Sequence, residues 1–257
     1  MRRCPPGAIR LLQITDTHLF ADPASMHGGV NLEDRFQAVL SAMRPWADGA
    51  DAIVHTGDLV HDGSQQGYAR LADALGSLGL VGLVMPGNHD DRRVLERVFA
   101  VGQPRAARQV TLGEWCVIAL DSQVTGNVAG HLSAAERAAL SNALAATDAR
   151  YVAIALHHPP VSVGTPWLDA IGLDNADALH QQLQADPRIR VCVFGHVHMT
   201  WDAAVDGVRM LATPASAVQF AAGAETFTLD QGPPGFRWID LLADGSIETD
   251  VVRVPVD

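Results

Sequence analysis

Residues 81–90, which read Val81-Gly-Leu-Val-Met-Pro-Gly-Asn-His-Asp90, join an apolar run to a polar turn. The run at 81–85 predicts a buried strand, and Gly87 lets the chain turn sharply where that strand ends. The turn then presents an amide, an imidazole and a carboxylate, at Asn88, His89 and Asp90. Because side chains at strand ends can converge in one crevice, this stretch links the predicted fold to a predicted site.

Outward from this stretch, apolar runs alternate with segments of helical period. Further apolar runs lie at 9–15 and 51–56, and the segments at 31–47 and 64–78 have helical spacing. The alternation predicts β-α-β units. Since the runs are apolar throughout, without strict polar alternation, they suit strands that other layers cover on both faces.

The chain beyond residue 108 is richer in strands and ends in a strand-rich part at about 201–257. Strands are predicted at 109–112, 115–121, 151–156, 190–194, 201–213, 217–221, 225–229 and 235–254, and helices at 133–147 and 175–184. No linker rich in Pro, Ser or Gly separates the halves, so we expect a single domain over residues 1–257. Two largely β layers should pack face to face in an α/β (α+β) fold, with helices outside.

Short polar residues mark the expected helix starts. Asn31 with Asp34, and Ser133 with Glu136, fit a capping side chain followed by an acid in the first turn. Asp90 is expected to cap the helix that begins near residue 91, or to orient a neighbouring group.

The composition excludes several classes of protein. The chain has 257 residues, 48% hydrophobic and 18% charged, which rules out a disordered or collagen-like chain. Its 18 basic and 29 acidic residues give a net charge of −11, so neither nucleic acid nor a membrane surface is an expected partner. Three cysteines without a CxxC pair favour a reducing compartment. With no signal-peptide pattern and no apolar stretch near the ~18 residues of a spanning helix, a cytoplasmic location is expected.

Five polar blocks follow predicted strands and carry the candidate chemistry. They are Asp16-Thr-His18, Gly57-Asp58, Gly87-Asn-His-Asp90, His157-His158 and Gly195-His-Val-His198. Their carboxylate, imidazole and amide donors suit divalent Mn, Fe, Zn or Co. In an extended segment residues i and i+2 point the same way, so Asp16 with His18, and His196 with His198, should each present two ligands to one side.

The number of donors predicts two metal ions. The potential ligands are Asp16, His18, Asp58, Asn88, His157, His196 and His198. Seven ligands are too many for one catalytic ion that keeps a position open, whereas two ions sharing a carboxylate would use them all. Asp58 is the expected bridge, because a carboxylate can give one oxygen to each metal.

The five blocks, in this order, resemble the signature of the calcineurin-like metallophosphoesterases. Other stretches look like the bacterial cyclic-AMP phosphodiesterases of that superfamily. These stretches are Gln13-Ile-Thr-Asp-Thr-His-Leu-Phe20, Leu120-Asp-Ser-Gln123, Leu211-Ala-Thr-Pro214, Val218-Gln-Phe220 and Phe227-Thr-Leu-Asp230. The resemblance therefore covers nearly the whole chain, and it implies a four-layer αββα sandwich of two mixed sheets flanked by helices.

The resemblance also implies a division of the ligands between the two metals. One metal would take Asp16, His18, Asp58 and His198, and the other would take Asp58, Asn88, His157 and His196. The metals would be Fe and/or Mn, with Zn and Co also compatible with the donors. His89 is left free beside the cluster, and Asp58 and His89 are the expected catalytic residues.

The implied activity is hydrolysis of 3′,5′-cyclic AMP to 5′-AMP by a hydroxide held between the two cations. His89 would act as general acid toward the departing ribose oxygen. The alternatives are a broad-specificity phosphodiesterase acting on 2′,3′-cyclic nucleotides or glycerophosphodiesters, and a non-catalytic scaffold stabilised by its metals. The expected partner is a small cyclic nucleotide. The oligomeric state stays open, and a homo-oligomer is compatible with the sequence.

Contacts to the substrate are predicted less directly. Asn88, His89 and His158 adjoin the ligands. Trp167 lies in a loop-like segment at 159–173 that would form one wall, and the segment 218–227, with Phe220 and Phe227, would supply an aromatic face. The ring of Trp167 or of Phe220 would either stack on the base or belong to the core or to a subunit contact. Gln219 would either read the adenine edge or satisfy a backbone group in a turn.

Histidines outside the blocks are assigned simpler roles. His61 lies three residues after Asp58 and is the one expected to approach the site, whereas His27, His131 and His180 are expected at the surface. The aromatic residues Trp115, Trp238 and Phe236 lie in strand-like runs and are expected in the core.

Overall fold

A computed structural model describes residues 3–256 of the chain; residues 1, 2 and 257 of the predicted domain lie outside this range. The helices are α1 (Leu32–Ala47), α2 (Gln65–Gly76), α3 (Arg92–Val98), α4 (Ala134–Ala146), α5 (Pro166–Asp169) and α6 (Ala176–Ala185). The strands are β1 (Ile9–Ile14), β2 (Met26–His27), β3 (Val30–Asn31), β4 (Ala52–His55), β5 (Val81–Val84), β6 (Gln109–Leu112), β7 (Trp115–Ala119), β8 (Tyr151–Ala155), β9 (Ile189–Phe194), β10 (Trp201–Val205), β11 (Val208–Ala212), β12 (Gln219–Phe220), β13 (Leu229–Asp230), β14 (Gly235–Leu241) and β15 (Ile247–Arg253).

Two mixed sheets form the centre of the fold. The first has the strand order β15-β14-β1-β4-β5, in which β1, β4 and β5 run parallel and β14 runs antiparallel to β1. The second has the order β10-β11-β9-β8-β7-β6, with β7, β8, β9 and β11 parallel. The parallel strands explain why their sequences are continuously apolar, because both faces of each sheet are covered.

Three apolar clusters define the layers. Side chains of both sheets, such as Val54, Leu83, Val117 and Val193, share the cluster between the sheets. The outer face of the first sheet packs on α1, α2 and α3, and the outer face of the second packs on α4, α5 and α6. This order of layers confirms the predicted αββα sandwich, and the predicted core residues Trp115, Trp238 and Phe236 are all buried.

The two predicted caps are confirmed. Asn31 Oδ1 accepts the backbone N–H of Asp34 at 2.9 Å, and Ser133 Oγ accepts that of Glu136 at 3.0 Å. These bonds satisfy N–H groups that the first helical turn leaves free.

The last quarter contains one incorrect strand prediction. The runs at 201–213 and 235–254 each form two strands with turns at Asp206-Gly207 and Asp244-Gly245, as expected. The strand predicted at 225–229 is wrong, because only Leu229–Asp230 pairs, with Gln219–Phe220. Residues 221–228 instead form a loop that leaves Phe227 59% exposed.

Within residues 3–256 no helix combines the length and apolar character needed to cross a membrane.

Candidate metal centre

All five polar blocks lie beyond the carboxyl ends of parallel strands, as predicted. The strands are β1, β4 and β5 of the first sheet and β8 and β9 of the second. Backbone bonds join the loops: the N–H of Asp16 donates to Gly57 O at 3.0 Å, and that of His18 donates to Asp58 O at 3.0 Å. The N–H of His196, after β9 of the second sheet, donates to Asp16 Oδ2 at 3.1 Å, so the two sheets deliver their polar residues to one place.

The local conformation of the ligand segments differs from the extended one expected. Five of the seven predicted ligands have positive φ angles between 47° and 69°: Asp16, His18, Asp58, His196 and His198. This left-handed region is costly for residues other than glycine. The prediction that these side chains converge is confirmed, but its reason is wrong, because strained turns rather than an extended i, i+2 pattern aim them at the centre.

Glycines permit the close packing of these segments. A Cβ on Gly87 would lie 2.2 Å from Asp58 Oδ1, and one on Gly57 would lie 2.4 Å from His157 Nδ1. A Cβ on Gly195 would lie 2.2 Å from Thr15 Oγ1. Each glycine thus leaves the space that a neighbouring polar group occupies.

The first group of donor atoms comprises Asp16, His18, Asp58 and His198. His198 Nε2 lies 3.3 Å from Asp16 Oδ1 and 3.3 Å from His18 Nε2. His18 Nε2 lies 3.6 Å from Asp58 Oδ2. Two nitrogens and two carboxylates thus face one small space, as the resemblance implies for one metal.

The second group comprises Asp58, Asn88, His157 and His196. His157 Nε2 lies 3.4 Å from Asp58 Oδ2 and 3.2 Å from Asn88 Oδ1. His196 Nδ1 lies 3.1 Å from Asn88 Oδ1 and 3.2 Å from His157 Nε2. Asp58 Oδ2 therefore faces a histidine of each group, while Asp58 Oδ1 accepts the backbone N–H of His89 at 2.9 Å. This differs from the expected use of one carboxylate oxygen for each metal.

The chemistry of these donors fits a pair of divalent cations. Acceptor oxygens and imidazole nitrogens face one another at 3.1–3.6 Å, an arrangement that a cation between them would stabilise. Nitrogen and oxygen donors without sulfur suit Fe, Mn, Zn and Co.

Two ligand imidazoles are oriented by backbone carbonyls. His157 Nδ1 lies 2.8 Å from Thr56 O, and His198 Nδ1 lies 2.8 Å from Val218 O. A carbonyl only accepts, so each ring carries a proton on Nδ1 and directs Nε2 at the centre, where Nε2 would be the atom available to a metal.

Burial and charge act together on the carboxylates. Burial alone would raise the pKa of Asp58, but His157 and His18 beside it hold that pKa well below its usual range. Burial likewise opposes ionisation of Asp16, and His198 more than compensates, so its pKa is also lowered. For His157, burial disfavours the charged form, but Asp58 raises its pKa to about 9. Asp16 and Asp58 are therefore held in their anionic form.

Asp90 supports the Asp58 loop and does not cap the following helix. Its carboxylate accepts the backbone N–H groups of Leu59, Val60 and Gly87 at 2.8–3.1 Å and the hydroxyl of Tyr68 at 2.8 Å. The capping alternative is wrong, since the N-cap of α3 is the neighbouring residue 91. Its other predicted role, orienting a neighbour, matches these bonds.

His89 and two further histidines line the open side of the centre. His89 is exposed, and its ring lies 4.9 Å from that of His18 and stacks on His61 at 4.5 Å. His61 approaches the site as predicted, with Nδ1 3.2 Å from His18 Nδ1. The surface assignment of His27 is wrong, because this half-buried ring packs on His61 at 4.7 Å and lines the same cavity.

The structure contradicts a substrate contact for His158. The residue is fully buried, and its Nδ1 and Nε2 atoms lie 2.8 Å from Ser122 Oγ and 3.0 Å from Val128 O. Its ring instead packs edge-on against His157 at 4.8 Å. Of the other outlying histidines, His131 is exposed and His180 is partly buried.

A cavity of about 260 Å³ opens over the two groups of donors. One wall consists of Trp167, Phe220 and Phe227, whose rings meet edge to face at 5.0–5.4 Å. Phe220 stacks on His198 at 4.0 Å, so one face of its ring is already covered. The sequence suggested an aromatic face from the segment 218–227, and Phe227, which ends that segment, is the exposed member of this wall.

Gln219 takes the second of its two expected roles. Its Nε2 donates to Ala215 O at 2.8 Å, and its Oε1 accepts from Arg253 Nη1 at 2.9 Å. Since the side chain is buried and both polar atoms are used, it fixes the turn before β12 and does not read a base.

Comparison with known proteins identifies the family. The profile of the calcineurin-like phosphoesterases matches residues 9–200. The chain belongs to the calcineurin-like phosphoesterase family. The resemblance inferred from the five polar blocks is thereby confirmed.

Several curated relatives of this calcineurin-like phosphoesterase are named for cyclic nucleotides. The 3′,5′-cyclic adenosine monophosphate phosphodiesterase CpdA of Escherichia coli is 39% identical over 247 residues, which cover 96% of this chain and 90% of that protein. The protein of the same name from Pseudomonas aeruginosa is 34% identical over 248 residues, covering 96% and 91%. A 3′,5′-cyclic-nucleotide phosphodiesterase of Nostoc is 34% identical over 247 residues, covering 96% and 93%.

Solved structures with the same fold are more distant in sequence. A dimetal phosphatase of Danio rerio matches with a TM-score of 0.65 and 13% identity, covering 96% of this chain and 99% of that one. A purple acid phosphatase from yellow lupin matches with a TM-score of 0.64 and 12% identity, covering 96% and 54%. At these identities the likeness concerns the fold alone.

Proposed function

We propose that this calcineurin-like phosphoesterase uses two divalent metal ions to hydrolyse 3′,5′-cyclic AMP to 5′-AMP. The observation that carries the proposal is the meeting of the two groups of donors at Asp58 Oδ2, 3.4 Å from His157 Nε2 and 3.6 Å from His18 Nε2. The choice of substrate is supported by the relatives named as cyclic-AMP phosphodiesterases. A cavity that combines polar donors with an aromatic wall suits a phosphate joined to a base.

The metals would be held by the ligands that the resemblance implies. Asp16, His18, Asp58 and His198 would hold one ion, and Asp58, Asn88, His157 and His196 would hold the other. Bound cations supply activation of the attacking water and neutralisation of the phosphate charge. Fe and/or Mn are the expected ions, and Zn and Co also suit the donors. Because this positive charge is local, a protein of net charge −11 can accept an anionic substrate.

His89 is the proposed general acid. Its imidazole faces the cavity, while its backbone N–H is fixed by Asp58 Oδ1 at 2.9 Å. In this position the ring holds a proton beside the phosphate and gives it to the departing ribose oxygen. Asn88, which also lines the cavity, is the proposed second contact to the phosphate.

The base would occupy the aromatic end of the cavity. Trp167 and Phe227 offer ring surface there, whereas Phe220 already covers His198 with one face and contributes an edge. Ring surface of this kind favours a phosphodiester that carries a purine over a simple alkyl or aryl phosphodiester.

The chain is proposed to work as one domain, because both sheets contribute ligands to one centre. A cytoplasmic location is supported by the free, buried thiols of Cys116 and Cys192. The proposed partner is the small cyclic nucleotide.

The test is a comparison of substrates and products with the metal-loaded protein. 3′,5′-cyclic AMP should give 5′-AMP and should exceed 2′,3′-cyclic AMP and glycerophosphodiesters in kcat/KM. Faster turnover of the other esters would instead establish the broad-specificity phosphodiesterase. Failure on every phosphodiester with both metals bound would leave the scaffold alternative.

A further inference from the structure

The proposed ligand His18 is oriented differently from His157 and His198. The latter two direct Nδ1 at the carbonyls of Thr56 and Val218. His18 directs its Nδ1 at another imidazole, with 3.2 Å between this atom and Nδ1 of His61. An imidazole nitrogen accepts a hydrogen bond only when it carries no proton, so this contact imposes a condition on His61.

The condition follows from the proton count of the pair. If the Nε2 lone pair of His18 serves as a ligand, its proton must be on Nδ1. That N–H can donate only if His61 Nδ1 is unprotonated, and the proton of a neutral His61 is then on Nε2. His61 would therefore replace the carbonyl acceptor that the other two ligand rings have.

The surroundings of His61 hold it in this geometry. Its backbone N–H donates to Leu19 O at 2.8 Å, within the pairing of the loops after β1 and β4. Its ring packs between Phe20 at 4.8 Å, His27 at 4.7 Å and His89 at 4.5 Å.

We propose that His61 is a positioning residue for the metal ligand His18, fixing its tautomer and ring orientation by accepting a hydrogen bond from Nδ1. The inference rests on the proposed function in one respect, the use of His18 Nε2 as a ligand. It adds a residue that lies outside the five polar blocks and acts on the metal only through His18.

Two substitutions of equal shape isolate the acceptor. His61→Asn places an amide oxygen where Nδ1 lies, and His61→Leu places a methyl group there, while both remove the same ring contacts. Loss of such a hydrogen-bond partner typically costs about 10–100-fold in metal affinity. His61→Leu should therefore bind the weaker of two Mn²⁺ ions about 10–100-fold less tightly than the parent protein, and His61→Asn should recover most of that affinity.

The measurement is Mn²⁺ affinity by competition with a chelating dye, with folding of each variant checked by circular dichroism. Phe20→Leu is the control, because it removes another ring beside His61, 4.8 Å away, without removing the acceptor, and it should leave the affinity unchanged. Equal affinities for the Asn and Leu variants, whether lowered or not, would overturn the proposal.

The unsubstituted protein gives a second test that does not depend on variants. In the Zn²⁺-loaded, ¹⁵N-labelled protein, nuclear magnetic resonance of the histidine rings should show His18 protonated on Nδ1 and His61 protonated on Nε2. A proton on Nδ1 of His61 would overturn the inference. Binding of fewer than two metals by the unsubstituted protein would instead contradict the proposed function itself, so the two failures are distinguishable.

Discussion

The backbone N–H of His89 donates a hydrogen bond to Asp58 Oδ1 over 2.9 Å, which joins the proposed general acid to the proposed bridging carboxylate. The bond belongs to the main chain of His89, so the imidazole can be removed without breaking it. Substitution of Asp58, in contrast, disturbs both the metals and the position of His89. The two residues can therefore be tested separately.

His89→Ala should lower turnover of cyclic AMP while leaving metal content unchanged. A positioned general acid typically contributes about 10²–10⁴-fold, and this is the loss expected in kcat. A nitrophenyl diester has a leaving group that needs no proton, so its hydrolysis should fall much less. Steady-state kinetics on both substrates and metal analysis check the prediction. Equal losses on the two substrates would assign His89 to holding the phosphate.

Phe227→Ala and Trp167→Ala should lower the preference for cyclic AMP over bis-nitrophenyl phosphate. Both side chains belong to the aromatic wall of the cavity, away from the donor atoms. Base stacking on a protein ring is worth about 1–3 kcal/mol, so kcat/KM for cyclic AMP should fall about 5- to 150-fold. The kcat/KM for bis-nitrophenyl phosphate should stay near that of the parent protein. Phe220→Leu should affect both substrates, because Phe220 also stacks on His198.

Asp240→Ala should destabilise the fold without removing the metals. Arg10 and Asp240 are paired across β1 and β14, with Nε and Nη2 donating to the carboxylate at 2.6 and 2.7 Å, and both are buried. Removing one partner of this buried, two-bond ion pair should cost about 3–5 kcal/mol of unfolding free energy. The matched surface pair Arg209–Asp202 has similar distances but is about one-third exposed. Asp202→Ala should therefore lower the unfolding free energy by no more than about 1 kcal/mol. Urea denaturation of both variants measures the two losses.

His55 should make the metal-free protein less stable as the pH falls. The residue is fully buried below the site, and burial lowers its pKa to about 3. Because the unfolded chain takes up this proton near pH 6.5 and the folded chain does not, stability present above pH 6.5 is lost as the pH falls toward 3. The unfolding free energy that one such group removes approaches about 1.4 kcal/mol for each pH unit of decrease.

His55→Gln should remove that contribution while keeping a polar group near Thr17, which lies 3.1 Å from His55 Nε2. Urea unfolding of the parent and His55→Gln proteins between pH 7 and 5, with chelator present, gives the slope of unfolding free energy against pH for each. The His55→Gln slope should be the smaller. Parallel pH dependences in the two proteins would show that His55 is not the titrating group.

Much of the fold could be predicted because apolar runs and helical spacing reflect burial directly. The strands before Asp16, Asp58 and His157 end within two residues of the predicted positions. The strand predicted at 225–229 failed because loops that carry an aromatic residue such as Phe227 have the same local composition as short strands.

The site shows a similar division between local pattern and tertiary contact. Residue types and their order indicated which donors converge, but not the left-handed turns that aim Asp16 and His198. The roles of His27 and His158 depend on which groups face their rings across the fold. A histidine in sequence does not reveal whether its nitrogens will meet a carbonyl, a second imidazole or a cavity.

Asp58 is proposed to join two metal ions in one centre, and the metal content of the Asp58→Ala variant tests this role. The unsubstituted protein, purified without chelator, should contain two divalent metals per chain, and Asp58→Ala should lose at least one of them together with its cyclic-AMP turnover. The folding control is Asp202→Ala, which should keep both ions. An Asp58→Ala protein that retains two metals and most of its activity would show that Asp58 does not join the metals.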